Sequence, residues 1–310
     1  MRIAVFGSGG VGGYFGARLA NAGNDVHFIA RGKHLAAMRE HGLRLSSPLG
    51  DAHLKSVQAH EDPAAIGPVD VVLFAVKLWD TPAAAESLRP LLAGGGVVIP
   101  FQNGVESVDA LRKVLGERPV MGGAAYIASR ISAPGVIEHI GQMARLQFGP
   151  LVAEQRPVAE RFLEGCRKAG INAEMPADVV RAIWEKFVFL VAVSGTTAVS
   201  RAPLGVVRAD PDLRWLFEQA MRETWNVGRA RDVQLADDFI PARMKALATL
   251  PYEMKASMAH DLEAGGRLEA PWLCGAVARM SAESGLDAPV NRTIYAALRP
   301  YVDGSARPAA

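Results

Sequence analysis

Short apolar runs alternate with longer amphipathic stretches through the first half of the chain. The runs cover residues 2–6, 25–30, 69–77 and 96–101. The last two are almost continuously apolar, which is typical of parallel strands that are buried on both faces. Such strands, alternating with helical stretches, predict an α/β fold built on a parallel sheet.

The next stretch contains short apolar segments at 120–128, 135–140 and 144–149, separated by glycines. Their connections are too short for crossover helices, so we expect them to form an antiparallel addition to the sheet. An amphipathic helix over 156–169 and a last strand over 171–175 complete this half of the chain.

The pattern changes at Asp178, after which strand-like alternation gives way to helical periodicity. This periodicity predicts helices over 178–198, 211–231, 241–250, 267–284 and 291–301. Asp178 itself is of a residue type that caps helix N-termini. We therefore predict two domains, a mixed one over 1–177 and an all-helical one over 178–310.

Composition and charge narrow the class of protein. The 310 residues include 34 Lys and Arg against 32 Asp and Glu, a net charge of +2, which favours neither a nucleic-acid partner nor a membrane surface. Cys166 and Cys274 lack metal-ligand or redox spacing, so we expect reduced thiols, no metal site and a cytoplasmic protein. The first apolar run starts at residue 2, so we expect no signal peptide. The longest apolar run, 187–193, is shorter than a membrane span.

A glycine-rich turn joins the first strand to the first helix. It contains Gly7, Ser8, Gly9, Gly10, Val11 and Gly12. This G-x-G-x-x-G pattern between a strand and a helix is typical of dinucleotide-binding sites. Gly7 allows a sharp turn, Gly9 lets a pyrophosphate approach the backbone, and Gly12 lets the helix pack close to the strand. The N–H groups at the start of the helix would then face the phosphates. The alternative is a glycine-rich turn without a ligand.

Arg31 follows the second strand, at the position that distinguishes NAD from NADP. A carboxylate here would bind the ribose 2′-hydroxyl of NAD, whereas an arginine suits the 2′-phosphate of NADP. No Asp or Glu lies between Val26 and Met38, and Lys33 and His34 add to the basic character. We therefore predict NADPH as the cofactor. The alternative is an exposed basic loop.

Polar residues end two of the buried strands, with Lys77 after one and Gln102 and Asn103 after the other. Ligands of open α/β sheets bind beyond the carboxyl ends of the strands, which makes these three residues site candidates. Asn-Gly is also a common turn dipeptide, so the alternative for Asn103 is a structural turn.

The helical half offers a proton donor for a reduction. Lys186 lies in an otherwise apolar stretch, where burial would lower its pKa toward the range of a general acid. Glu269 would stabilise the ammonium of such a lysine, and Ser257 would hydrogen-bond a carboxylate. The alternatives are a lysine that reaches solvent or pairs with Glu185, a first-turn helix glutamate and a helix-capping serine.

Together these motifs resemble the ketopantoate reductases (2-dehydropantoate 2-reductases) over nearly the whole chain. The resemblance covers the glycine turn with Arg31, the strand that ends at Lys77, the Gln-Asn-Gly segment 101–105, the helical segment 184–186 and the block 257–269. It implies an N-terminal Rossmann-like, doubly wound sheet with antiparallel additions, followed by a C-terminal helical domain.

The resemblance also implies roles. NADPH would deliver hydride to the C2 ketone of a 2-oxo acid and give a 2-hydroxy acid, as in the conversion of 2-dehydropantoate to pantoate for pantothenate biosynthesis. Lys186 would protonate or polarise the carbonyl oxygen, Glu269 would bind the hydroxyl and the lysine, and Ser257 would bind the carboxylate. Asn103 would lie near nicotinamide and substrate, and Lys77 in the cofactor site. The partner is then a small molecule, and a homodimer is compatible with the sequence.

The chain departs from the family's pattern around the implied substrate site. Leu190 and Ser194 stand where family members usually carry asparagines, Cys274 replaces a further asparagine and Pro271 a carboxylate. Leucine cannot replace the hydrogen bonds of an asparagine. A reductase of the same type that acts on a less polar 2-oxo acid or 2-oxo amide is therefore a second hypothesis.

Two further hypotheses remain. A non-catalytic NADPH-binding sensor would need a blunted catalytic pair, whereas this chain retains Lys186 and Glu269. A dehydrogenase of the hydroxyisobutyrate type also joins a dinucleotide domain to a helical lysine, but its much longer interdomain helix is not evident here.

Overall fold

The computed structural model describes residues 1–304, which divide into two compact units, 1–182 and 183 onward. The strands of the first unit are β1 (Arg2–Phe6), β2 (Asp25–Ile29), β3 (Leu43–Ser46), β4 (Ala52–Leu54), β5 (Gln58–His60), β6 (Val71–Phe74), β7 (Val97–Pro100), β8 (Gly122–Ala133), β9 (Val136–Gly149) and β10 (Asn172–Glu174). Its helices are α1 (Gly10–Asn21), α2 (Gly32–His41), α3 (Thr81–Glu86), α4 (Arg89–Leu92), α5 (Ser107–Leu115) and α6 (Arg156–Lys168).

One sheet of the first unit is parallel, with the strand order β5-β2-β1-β6-β7. Its central strand is β1, where Ile3 pairs with Val26 of β2 on one side and with Val71 of β6 on the other. Ile3 and Val5 pack into the core on one face of the sheet, whereas Ala4 and Phe6 pack into the core on the other face. Because both faces are covered, β6 and β7 are apolar without alternation. The predicted Rossmann-like domain is confirmed.

The second sheet has the order β10-β9-β3-β4, and β8 pairs antiparallel with β9. The antiparallel addition is confirmed, but the prediction of separate strands over 135–140 and 144–149 is wrong, because both belong to the single strand β9. Gly141 lies in this strand with φ +78, and the register shifts between Ile127 and Ala128 on the facing strand. A glycine at positive φ lets a strand bulge and continue, so the glycine does not end the strand as expected.

The described part of the second unit is helical. It contains most of α7 (Val179–Ser200), which begins in the first unit, and then α8 (Leu204–Ala209), α9 (Pro211–Ala230), α10 (Phe239–Leu247), α11 (Ser257–Glu263), α12 (Cys274–Glu283) and α13 (Pro289–Leu298). As predicted, Asp178 caps α7, since its side chain accepts a hydrogen bond of 2.9 Å from the N–H of Arg181.

The helix expected over 267–284 is interrupted, and this prediction is wrong at its first turns. A 3-10 turn over Ala270–Trp272 comes first, and α12 starts only at Cys274. Pro271 lies in that turn and has no N–H to donate, and Leu273 adopts a non-helical backbone conformation with φ −106 and ψ −103. The break matters because Glu269 lies directly before the turn.

Helix α7 is 22 residues long and has a mean hydropathy of 1.4 over its most apolar stretch, so it is long and apolar enough to cross a membrane. The expectation that no apolar segment reaches this length is therefore wrong. In the structure 72% of that stretch is buried, as in the core helix of a water-soluble protein.

Candidate active site

The glycine turn between β1 and α1 is closely packed on all sides but one. A Cβ on Gly7, which has φ +98, would lie 2.8 Å from the backbone of Ala75 and Val76. A Cβ on Gly12 would lie 2.2 Å from the carbonyl oxygen of Gly7, and one on Gly10 would lie 2.3 Å from the carbonyl oxygen of Ser129. These glycines are therefore required by the close approach of three backbone segments.

Gly9 differs from the other glycines of the turn, because a Cβ there would meet no atom within 4 Å. Gly9 precedes the first turn of α1, whose first N–H groups have no acceptor within the helix. An open backbone surface that leads to free N–H groups at a helix N-terminus fits a pyrophosphate. Val11 lies in this first turn and would contribute its backbone.

Ser8 is buried, and its polar groups all have protein partners. Its hydroxyl donates to the carbonyl oxygen of Ile29 at 3.0 Å, its N–H donates to the same oxygen at 3.1 Å, and its own carbonyl oxygen is 2.9 Å from Nε2 of His34. Within the predicted cofactor site Ser8 thus holds the turn in place through β2 and α2.

Arg31 is exposed at the end of β2 and directly precedes α2. Its guanidinium makes no hydrogen bond or ion pair with the residues that the structure describes, and Lys33 on the first turn of α2 is also exposed. His34 is different, because burial lowers its pKa while the bond to the Ser8 carbonyl opposes this effect. The cationic groups available to a 2′-phosphate are therefore Arg31 and Lys33.

Gln102 connects the loops that follow β6 and β7. Its side-chain amide donates to the carbonyl oxygen of Val76 and to the hydroxyl of Thr81, both at 2.8 Å. Because Val76 packs on Gly7, Gln102 supports the glycine turn from the neighbouring strand. From the sequence alone, Gln102 is a candidate only for a residue that faces a ligand.

The other two polar residues at these strand ends are more accessible. Lys77 is exposed, and its ammonium lies 5.5 Å from the centre of the Trp79 ring. Asn103 is half-buried in the loop between β7 and α5. Both residues lie at the carboxyl edge of the parallel sheet, where open α/β sheets bind ligands.

The second unit brings Lys186 and Glu269 together. Lys186 lies on α7 between Trp184 and Phe187, which are both buried, and Glu269 is only 6% exposed. Burial lowers the pKa of Lys186 to about 8, and the negative charge of Glu269 partly opposes this shift. The residue keeps some contact with solvent, but protein surrounds its ammonium closely enough for desolvation to dominate.

Leu190 and Ser194 follow Lys186 at intervals of one helical turn and share its face of α7. Leu190 is half-buried and Ser194 is buried. Leu190 is therefore a half-buried apolar side chain one helical turn from Lys186. This is the position at which the resemblance to the family implies contact with substrate.

Ser257 is exposed and is the first residue of α11. The N-cap of this helix is Ala256, so the alternative of a capping serine does not hold. Thr197 of α7 accepts a hydrogen bond from the N–H of Ala256 at 3.4 Å and donates to the carbonyl oxygen of Val193 at 2.7 Å. Thr197 therefore ties the start of α11 to the helix that carries Lys186. The sequence does not show this role, because the two bonded residues are 59 positions apart.

Cys274 begins α12 and is fully buried. Burial raises the pKa of its thiol to about 12, and Sγ lies 3.6 Å from the carbonyl oxygen of Ala270. Such a thiol is a packing group, not a nucleophile. With Pro271, it shapes the backbone that carries Glu269.

The fold and these residues define an NAD(P)-dependent oxidoreductase with a Rossmann-like domain. Two family models match the chain: "Ketopantoate reductase PanE/ApbA" over residues 3–153 and "Ketopantoate reductase PanE/ApbA C terminal" over residues 178–302. The chain belongs to the ketopantoate reductase family.

Two related proteins are similar in sequence along nearly the whole chain. A 2-dehydropantoate 2-reductase of Archaeoglobus fulgidus is 32% identical over 304 residues, covering 98% of both chains. An uncharacterized oxidoreductase of Bacillus subtilis, YkpB, is 30% identical over 309 residues, covering 97% of this chain and 99% of its own.

Solved structures agree with this assignment. A PanE/ApbA family ketopantoate reductase from Ralstonia eutropha JMP134 superposes with a TM-score of 0.88 at 32% identity, covering 97% of this chain and 98% of its own. D-mandelate dehydrogenase in a ternary structure with NADH and anilino(oxo)acetate has a TM-score of 0.89 at 18% identity, covering 97% and 98%. The second likeness shows the shared fold alone.

Proposed function

We propose that the chain uses NADPH to reduce a 2-oxo acid to a 2-hydroxy acid, with 2-dehydropantoate as the first candidate substrate and pantothenate biosynthesis as the candidate pathway. The observation that carries this proposal is the lowered pKa of Lys186 beside the buried carboxylate of Glu269. A lysine with a pKa near 8 is largely protonated at neutral pH and still gives up its proton readily.

The predicted domain over 1–177 would hold the cofactor. NADPH supplies a hydride when bound. The backbone from Gly9 to Gly12 would meet its pyrophosphate, Arg31 its 2′-phosphate, and Lys77 and Asn103 its remaining polar groups. The guanidinium of Arg31, which has no partner among residues 1–304, and the absence of an acidic residue at the end of β2 support NADPH over NADH.

The predicted domain over 178–310 would hold the substrate. Lys186 would donate a proton to the carbonyl oxygen as the ketone becomes an alcohol, and Glu269 would orient the lysine and accept a hydrogen bond from the new hydroxyl. Ser257 would donate a hydrogen bond to the substrate carboxylate. The reaction requires that Lys186 and the hydride donor reach the same carbonyl group.

A second candidate is the reduction of a less polar 2-oxo acid or 2-oxo amide. Leu190 favours this candidate, because it is half-buried one helical turn from Lys186 and offers no hydrogen bond to a hydroxylated substrate. Ser194, Cys274 and Pro271 replace further polar groups of the family in the same part of the chain.

The composition of the chain supports the proposed class of partner and the proposed compartment. With a net charge of +2, the chain is proposed to act on a small molecule in the cytoplasm, without a nucleic-acid or membrane partner. The buried thiols of Cys166 and Cys274 are consistent with a reducing compartment. A homodimer is compatible with this proposal.

Oxidation of NADPH by the purified protein tests the proposal. We expect turnover with 2-dehydropantoate or with a member of a panel of aliphatic and aromatic 2-oxo acids and amides, and slower turnover when NADH replaces NADPH. Tight binding of NADPH without turnover of any member of the panel would contradict the proposal and favour a sensor.

A further inference from the structure

His34 on α2 makes hydrogen bonds to two separate segments of the first unit. Its Nε2 is 2.9 Å from the carbonyl oxygen of Ser8 in the glycine turn, and its Nδ1 accepts a hydrogen bond of 3.0 Å from the N–H of Gly135. Gly135 forms the turn between β8 and β9 with φ +75. His34 thus connects the predicted phosphate-binding turn to the tip of the β8–β9 hairpin.

These partners determine the protonation of the ring. The N–H of Gly135 can only donate, so Nδ1 must be unprotonated, and the ring hydrogen must lie on Nε2, where it is donated to the Ser8 carbonyl. Burial lowers the pKa of His34, which favours the same neutral form, although the Ser8 carbonyl acts in the opposite direction.

The bond to Ser8 has a consequence for Gly9. The carbonyl of Ser8 and the N–H of Gly9 belong to one planar peptide group, and this peptide is trans, since the described chain contains no cis peptide bond. In a trans peptide the two groups point in opposite directions. Holding the Ser8 carbonyl toward His34 therefore directs the N–H of Gly9 away from His34, at the residue whose Cβ position is open.

We infer that His34 is a positioning residue of the dinucleotide site, which sets the direction of the Gly9 N–H that receives the pyrophosphate. This inference rests on the proposed cofactor function. Because NADPH and NADH share the pyrophosphate, His34 acts on both cofactors equally, in contrast to Arg31, whose target is the 2′-phosphate of NADPH alone.

A purely structural role of His34 would give a different experimental result. His34 could simply join α2 to the β8–β9 turn, where the carbonyl oxygen of Gly135 also accepts a hydrogen bond of 2.9 Å from the N–H of Arg44. In that case removal of the imidazole would lower thermal stability and leave the affinity for both cofactors unchanged.

The test compares three variants in titrations of NADPH and of NADH, each with a thermal unfolding curve. His34→Leu removes both bonds, His34→Gln keeps a donor and an acceptor at similar spacing, and His41→Leu changes an exposed histidine on the same helix. We expect His34→Leu to weaken the binding of both cofactors by the same factor of about ten. His34→Gln should restore most of the affinity, and His41→Leu should bind like the wild type. His34→Ser replaces the leucine variant if that does not fold.

Unchanged affinity of a folded His34→Leu or His34→Ser variant would overturn the inference, as would a loss confined to NADPH. Either result leaves the proposed function standing. A wild-type protein that binds neither cofactor would overturn the proposed function together with the inference.

Discussion

Glu269 lies close enough to Lys186 for its carboxylate to oppose, without cancelling, the effect of burial on the lysine ammonium. Both groups belong to the helical unit, Lys186 through α7 and Glu269 through the backbone just before the 3-10 turn. Burial of an isolated lysine would lower its pKa further, whereas full pairing in water would leave it high. The balance leaves the pKa at about 8, which suits a proton donor near neutral pH.

The first prediction concerns the pH dependence of reduction. The protonated form of Lys186 is the donor, so kcat/KM for the 2-oxo acid should be level below pH 8 and fall about tenfold per pH unit well above it. Oxidation of the 2-hydroxy acid needs the neutral amine and should rise over the same interval. Steady-state rates in both directions between pH 6 and 10 measure the two profiles.

Glu269→Gln provides the control for this assignment. Removing the negative charge removes the influence that raises the pKa of Lys186, so the descending limb of reduction should move to lower pH. A limb that stays in place in Glu269→Gln, or a wild-type profile without a limb between pH 7 and 9, would refute the assignment of Lys186 as the titrating donor.

The second prediction concerns the choice of cofactor. Arg31→Ala should raise KM for NADPH by at least tenfold and change KM for NADH less than twofold, because only NADPH carries the 2′-phosphate. Lys55→Ala, which changes an exposed lysine of the same unit, should alter neither value. Equal effects of Arg31→Ala on both cofactors would speak against the 2′-phosphate role.

The order of elements and the glycine turn were predictable because local rules decide them. Strands β6 and β7 contain no polar residue, whereas a strand with one face in solvent carries polar residues at alternate positions. Gly7 and Gly12 are required by backbone contacts within a few residues or with the adjacent strand, so their spacing carries the information.

Other features depend on contacts between distant residues, which a pattern along the chain does not show. In the sequence Gly141 indicates the end of a strand. In the structure β9 pairs with β8 on both sides of Gly141 and is one strand. The bond of Gln102 to Val76 and the two bonds of His34 need the tertiary structure to bring their partners together. The interruption before α12 was predictable from a local signal, because Pro271 has no N–H to donate within a helix.

The third prediction concerns substrate choice. Leu190→Asn should raise kcat/KM for 2-dehydropantoate, which carries a hydroxyl, relative to an unsubstituted aliphatic 2-oxo acid by roughly ten- to a hundredfold. The reason is that an amide one turn from Lys186 offers hydrogen bonds that leucine cannot. Leu190→Met keeps the volume and polarity and should leave the ratio within about twofold. A ratio unchanged by Leu190→Asn would show that this side chain does not contact the substrate.

The fourth prediction concerns the stability of the helical unit. Glu223 of α9 is buried and caps α13, since its carboxylate accepts hydrogen bonds of 2.8 Å from the N–H groups of Val290 and Asn291. The side-chain amide of Asn291 donates to the same carboxylate. Glu223→Ala leaves the N–H groups of Val290 and Asn291 without this acceptor and should lower the free energy of unfolding by about 3 kcal/mol.

Glu283→Ala is the matched control, because Glu283 forms an exposed ion pair with Arg231 at 3.6 Å. Its removal should cost less than about 1 kcal/mol. Chemical denaturation of both variants measures the difference, and similar losses in the two would contradict the capping role of Glu223.

The central claim is that Lys186 delivers the proton that accompanies hydride transfer. Its most direct test is the turnover of NADPH with a 2-oxo acid substrate by Lys186→Ala, measured beside the affinity of the same variant for NADPH. We expect kcat to fall by roughly 10²- to 10⁴-fold while the Kd for NADPH changes less than about twofold. Turnover that survives the substitution within about threefold would contradict the claim.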